Sequence, residues 1–339
     1  MTRPHVQINK PNTSDVLLAH LDDLLPSFIA LSGVVGITLN GGLARGYGDH
    51  LSEIDITLYL ESKAYEDWKQ GNSPIAVGIQ RINGALYDIK IINLGQEDVT
   101  SWSSDARWDA SYAKILHDPT NRITPLLEEN LQYIPIPSDA SGVMFGAWWH
   151  FRLAGDIWIY RDDPLQAHLM LNQAMTELIK AIYIANGEFI PHEKWLFHMT
   201  RSLNWTPDNW INRASQIMCD LSPNIQNVES RQQLIATLWD EVDRYIVAMM
   251  EDDYPLRIMH RTFYKLLMML VENTSVSIEQ WQNVVNLSLL NHAPFNLCVS
   301  VVDKSIMLDR DKFTSLTADD LYEWHYDIVE AIRLHQKGN

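Results

Sequence analysis

The spacing of apolar residues along the chain changes from strand-like to helical near residue 143. Before that point the elements are short and mixed. Val16, Leu17, Leu21, Leu24 and Leu25 recur at helical spacing behind a polar start at Ser14 or Asp15, which predicts a helix over 15–31. Val34 to Leu39 reads as a short apolar strand that runs into Asn40-Gly41-Gly42. From Glu53 to Leu60 the chain alternates. Ile54, Ile56, Leu58 and Leu60 share one face, and Glu53, Asp55, Thr57 and Tyr59 the other, the signature of a half-buried strand. Ser62 opens a short helix to about Gln70. Two strands over 75–82 and 85–94 follow, joined by Asn83-Gly84. That pair favours a type I′ hairpin turn because both central residues need positive φ. A further apolar run, Tyr112 to Leu116, leads through a His117 to Asn121 turn into a helix carrying Leu126, Leu127 and Leu131.

The Pro and Ser content of 134–142 marks a linker. Beyond it, helical patterns occupy 143–161, 164–186, 191–203, 207–220, 229–250, 254–272, 277–290 and 317–336, while 293–309 reads as neither helix nor strand. Strands first and helices afterwards predict an α+β fold. A mixed sheet flanked by helices fills 1–140, and an all-α helical bundle domain fills 141–339.

At 339 residues, with 46% hydrophobic and 20% charged side chains, the chain can bury a core in each of two domains and is not of disordered composition. The balance of 26 Lys+Arg against 43 Asp+Glu leaves a net charge of -17, a field that repels polyanions and argues against a grip on long nucleic acid. Cys219 and Cys298 alone make neither a disulfide framework nor a zinc site, which suits a reducing compartment. Met1-Thr-Arg-Pro-His-Val lacks an apolar signal core, and no run is long enough for a membrane span, so a soluble, cytoplasmic protein is expected.

The chemistry-bearing residues gather in the first part. Four glycines between 41 and 48 permit turns or a close backbone approach to a ligand. Just after them, Glu53 and Asp55 lie two apart and project to one side of a strand. On the later strand, Leu86 to Ile92 alternates so that Asp88 faces away from Ile89 and Ile91. If the two strands are neighbours, three carboxylates converge. Such a group repels itself unless a hard cation such as Mg²⁺ or Mn²⁺ neutralises it.

The string Ile37-Thr-Leu-Asn-Gly41-Gly42, ten further residues, then Glu53-Ile-Asp55-Ile resembles the signature of DNA polymerase β-like nucleotidyltransferases. Ser52-Glu-Ile-Asp-Ile56 is similar to that superfamily's Ser-Asp-Ile-Asp-Leu, and Asp88 matches its third acid. Lys114 to Pro119 is similar to its Tyr-Asp-Pro strand. Phe189-Ile-Pro-His-Glu-Lys-Trp-Leu196 resembles a segment of the bacterial antibiotic-type and uncharacterised nucleotidyltransferases that carry a C-terminal helical domain.

The resemblance implies a nucleotidyltransferase domain over 1–140 and a substrate-binding helical domain over 141–339. It assigns metal binding to Glu53, Asp55 and Asp88, with Asp88 as general base. Gly41, Gly42, Arg45, Ser52 and Lys194 would meet ATP or another NTP. The reaction would move a nucleoside monophosphate, AMP from ATP, onto a hydroxyl of a small molecule. Acidic composition suits a cationic acceptor. Two departures from the pattern stand out: Glu53 replaces the usual Asp, and Gly42 the frequent Ser. An alternative register, with Asp55 and Thr57 as the pair, would leave a crippled site; the Glu53 and Asp55 register also brings Ser52 into place.

Other features have plainer readings. Arg45 suits phosphate or a surface turn equally, Lys90 shares the face of Asp88, and Lys194 suits phosphate or a structural ion pair. Trp148, Arg152 and Asp156 follow at i, i+4 and i+8, one helix face that either lines a cleft or holds an intrahelical ion pair. The scattered histidines show no metal spacing. Two other functions share the resemblance: a nucleotide-binding regulatory protein whose site has lost catalysis, and a toxin-like modifier of a protein or tRNA.

Overall fold

A computed structural model describes residues 3, 6–251, 256–273 and 275–338. Residues 1, 2, 4 and 5 of the N-terminal segment lie outside the described residues, as do 252–255, where the 254–272 pattern would begin. The chain is α+β and divides into two compact units, Met1–Ile136 with Ile182–Thr206, and Pro137–Ala181 with Pro207–Asn339. The sequence reading placed one boundary at 140; the structure groups Ile182–Thr206, and with it Lys194, with the strands of the first unit.

The first unit is built on a five-stranded mixed sheet. Its strands are β1 (Val34–Leu39), β2 (Ile54–Leu60), β3 (Gly78–Ile82), β4 (Ala85–Asn93) and β5 (Lys114–His117), in the order β3-β4-β2-β1-β5. β2 and β4 pair in parallel, and the other neighbours are antiparallel. The β3–β4 hairpin turns at Asn83 (φ 50°) and Gly84 (φ 91°), the two positive φ values a type I′ turn needs. Ile54, Ile56, Leu58 and Leu60 of β2 are sealed in a core with Ile37, Tyr87 and Ile89 and with Leu21 and Phe28 of the helix Ser14–Ile29.

β2 is more enclosed than its alternation implies. Thr57 and Tyr59, on the polar face, are buried as well. A period of two identifies the apolar face but cannot report whether the other face is covered. Burial of Thr57 is tolerated because its Oγ accepts a 2.6 Å hydrogen bond from the Asn40 side chain. The 191–203 pattern also differs, forming two 3₁₀ turns, Glu193–Trp195 and His198–Ser202, rather than one α-helix.

The second unit is mostly helical, with Pro164–Ala185, Ile225–Ala248, Ile258–Glu272 and Glu323–Gly338 its longest helices. The 143–161 pattern is realised as Ala140–Trp148, a π-helical stretch Trp149–Ala154, and Gly155–Tyr160. To the expected helices the structure adds a small antiparallel sheet: β6 (Val276–Ser277), β7 (Val299–Val302) and β8 (Ser305–Leu308), in the order β6-β8-β7. The domain expected to be an all-α helical bundle therefore carries one sheet. Most of it falls in the stretch 293–309 that the sequence pattern left open. The β7–β8 turn rests on Asp303 and Lys304, both at positive φ (48° and 63°), a conformation residues other than Gly, Asn and Asp rarely announce. Trp281, Phe295, Ile306, Phe313 and Ile328 share the core under this sheet. Among the described residues no helix is long and apolar enough to cross a membrane.

Two buried histidines make this unit acid-sensitive. Burial lowers His260 and His325 from 6.5 to about 4 each. The unfolded chain therefore binds protons on them that the folded unit excludes. Their contribution to stability is complete above about pH 6.5 and is lost as pH falls towards 4. Asp243, raised to about 6 by burial, acts in the opposite direction over the same window. His325→Phe removes one of these histidines, and Phe suits the ring neighbours Phe263 and Trp324. Thermal melts at pH 7 and pH 4.5 are expected to show a smaller acid loss for the variant than for the parent. Equal losses would count against it.

Candidate metal centre

The centre begins where β1 ends. Asn40 donates its backbone N–H to the Asp55 carbonyl at 2.9 Å, tying the end of β1 to the start of β2. The glycine-rich stretch then turns at once into a short helix, Gly41–Ala44, rather than an open loop. Gly41 has φ +63°, and a Cβ placed on it would lie 1.8 Å from Asp55 Oδ2. Glycine is needed here so that the backbone can pass against the Asp55 carboxylate. At Gly42 a Cβ would meet the Tyr47 carbonyl at 3.1 Å, a tight fit that disfavours the hydroxymethyl of the frequent Ser.

The parallel register sets Asp55 opposite Asp88, and Glu53 precedes β2 by one residue. One carboxylate oxygen from each of Glu53, Asp55 and Asp88 lies within 4.8 Å of the others. Oxygens around one Mg²⁺ at about 2.1 Å are at most about 4.2 Å apart, so small side-chain rotations bring this donor set onto one ion. Burial, then the charges of Glu53, Asp109 and Asp88, raise Asp55 to about 6, against the opposing pull of Lys90. Crowded hard donors of this kind fit a divalent cation, which relieves both repulsion and desolvation. Thr57, the second ligand of the alternative register, is instead sealed in its bond with Asn40.

Beside the carboxylates lies a cleft of about 570 Å³, lined by Glu53 and Asp55 and by Gly41, Gly42, Arg45, Ser52 and Lys194. All are within the first unit. Lys194 is exposed in this cleft. Ser52 is less free, since its Oγ donates to Asp49 Oδ1 (3.2 Å) and accepts from the Asp49 N–H (2.9 Å). Arg45 is engaged too. Its Nη1 donates to Asp109 at 2.9 Å, and its guanidinium stands 4.5 Å from the Trp108 ring centroid and 5.0 Å from that of Trp195. Lys90 lies 4.0 Å from Asp88.

Sequence reasoning did not single out Lys10, Asp109, Trp108 or Trp195 as cleft residues. Trp195 adjoins Lys194 in the Phe189–Leu196 segment, but nothing in that segment marks it as a cleft residue; only the tertiary fold brings segments near 10, 108 and 195 together. Arg152 and Asp156 do form the intrahelical pair, at 3.8 Å, in the second unit.

No protein-family profile matches the chain, and no curated protein matches it. Among solved structures the chain is similar to a nucleotidyltransferase-like protein from Exiguobacterium sibiricum, at 11% identity and a TM-score of 0.43, over 86% of this chain and 99% of that one. At that level of similarity nothing is transferred from it to this chain.

Proposed function

We propose that the protein is a metal-dependent nucleotidyltransferase that moves a nucleoside monophosphate, AMP from ATP, onto a hydroxyl of a small, cationic acceptor. The observation that carries this reading is the approach of Glu53, Asp55 and Asp88 within 4.8 Å beside a cleft that also presents Lys10, Lys90 and Lys194. Glu53, Asp55 and Asp88 would hold Mg²⁺ or Mn²⁺, which when bound supplies charge neutralisation for the triphosphate and lowers the pKa of the attacking hydroxyl. Lys10 and Lys194 supply cationic contacts for phosphate oxygens. Asp88 takes the proton of the acceptor hydroxyl as its oxygen bonds to the α-phosphorus. The bond from that phosphorus to the bridging oxygen breaks, and pyrophosphate leaves with the electron pair. Gly41 keeps Asp55 in place, and the Arg45–Asp109 pair, stacked on Trp108 and Trp195, fixes the cleft wall.

The test is pyrophosphate release from each NTP with Mg²⁺ or Mn²⁺ and a panel of aminated and neutral polyhydroxylated compounds. Release should require an acceptor and fall by about 10²–10⁴-fold in Asp88→Asn, the range for loss of a general base. ATP binding without release from any NTP and acceptor would favour the nucleotide-binding regulatory reading instead.

A further inference from the structure

A second cleft, of about 340 Å³, lies wholly within the second unit, and the nucleotidyl-transfer reading makes no use of it. Trp148 and Trp324 stand in its wall with ring centroids 6.1 Å apart, and Phe145 packs 5.0 Å from Trp324. The wall at Trp148 leads directly into the π-helical stretch Trp149–Ala154, which supplies Phe151 and Arg152 to the lining. Insertions of this kind strain a helix and recur at binding sites.

The charge of the cleft is unevenly satisfied. Its lining holds Asp240, Glu323 and Asp327 against Arg152 and Arg257. Arg257 is bound to Asp240 and lies 4.9 Å over the Trp239 ring, and Arg152 is paired with Asp156. Glu323 and Asp327, one helical turn apart, form no salt bridge among the described residues, although Arg257 acts on Asp327 electrostatically. Burial and the charge of Glu323 raise the Asp327 carboxyl above its ordinary value.

Polar atoms are left over as well. His260, only 4% exposed, lines the cleft, and neither its Nε2 nor the Trp324 Nε1 meets a hydrogen-bond partner among the described residues. Burial keeps His260 neutral at physiological pH, so its ring can accept a hydrogen bond from a ligand without repelling a cation. Carboxylates without a salt bridge, beside indole faces and a neutral imidazole, recognise a positive charge carried on an apolar body, through cation–π attraction and charge pairing.

We propose that this cleft is a binding site for a small organic cation of alkylated or aromatic ammonium type, with Glu323 and Asp327 as counter-charge and Trp148 and Trp324 as the π surfaces. The site is independent of nucleotide and of the carboxylate cluster in the first unit. The experiment is a calorimetric and tryptophan-fluorescence titration of the full chain with benzyltrimethylammonium, with benzyl alcohol as the neutral probe of similar shape. Saturable binding of the cation, at least about tenfold tighter than the alcohol, is expected, and it should weaken about tenfold in Glu323→Gln/Asp327→Asn. Both substituted side chains are exposed, so the fold should persist. Binding should be unchanged in Asp88→Asn and without ATP, which separates this site from the proposed reaction. Equal affinity for the two probes, no saturation in the millimolar range, or undiminished binding by a folded double variant would each overturn the proposal.

Discussion

Replacing Gly41 by alanine is expected to weaken Mn²⁺ binding and slow pyrophosphate release by about a hundredfold, the effect of a misplacement of about 1 Å in a reacting group. The new methyl would lie 1.8 Å from Asp55 Oδ2 and 2.5 Å from its carboxyl carbon, so the ligand itself must move. The residue also sits at φ +63°, which alone costs alanine about 1–2 kcal/mol. Gly46 separates the two effects. It has φ +89° just after the same short helix, with nothing among the described residues within 4 Å of an added Cβ, so Gly46→Ala carries the backbone cost without the collision. Calorimetric Mn²⁺ titrations of the two variants, with melting curves, should therefore diverge in metal affinity far more than in stability. A Gly41→Ala protein that binds Mn²⁺ like Gly46→Ala would show that the Asp55 carboxylate is not a ligand.

The second large effect concerns a buried charge in the second unit. Arg231 is 1% exposed, and the groups that bind its guanidinium are all neutral: Nε donates to the Ile217 carbonyl at 2.6 Å, Nη2 to Asn172 Oδ1 at 2.8 Å, and Nη1 to His168 Nδ1. His168 Nε2 in turn faces the Ser222 carbonyl at 2.9 Å, which assigns the ring proton to Nε2 and leaves Nδ1 as the acceptor. Arginine cannot escape by losing its proton. His168→Phe therefore leaves one donor of a buried guanidinium unsatisfied and should cost about 1–3 kcal/mol. Adding Arg231→Met removes the buried charge, and the double variant should melt above His168→Phe alone. A double variant that melts lower would mean that packing by the arginine stem, not its charge, dominates.

The candidate site was legible in part because some of its logic is local. Glu53 and Asp55 face one way because strand residues two apart do so, and Asn83-Gly84 sets the hairpin that carries Asp88. Their convergence is not local. It depends on β2 and β4 pairing in parallel with Asp55 opposite Asp88, although 32 residues separate them in the chain. The Arg45 clamp was illegible for the same reason. Asp109, Trp108 and Trp195 come from segments whose own patterns say nothing about each other. Gly41 was read as a place for ligand approach, whereas its nearest neighbour is the protein's own carboxylate.

By itself the sequence determined the α+β class, the strands and helices of strong period, and which carboxylates share a strand face, because these follow from side-chain alternation and turn stereochemistry over a few residues. Only the tertiary structure decided that Ile182–Thr206 joins the sheet unit, that the polar face of β2 is covered, that β7 and β8 form a hairpin, and that a second, aromatic and acidic cleft exists beside His260. Each of these depends on long-range burial, where the free energy comes from surfaces meeting across the fold rather than from the order of neighbouring residues.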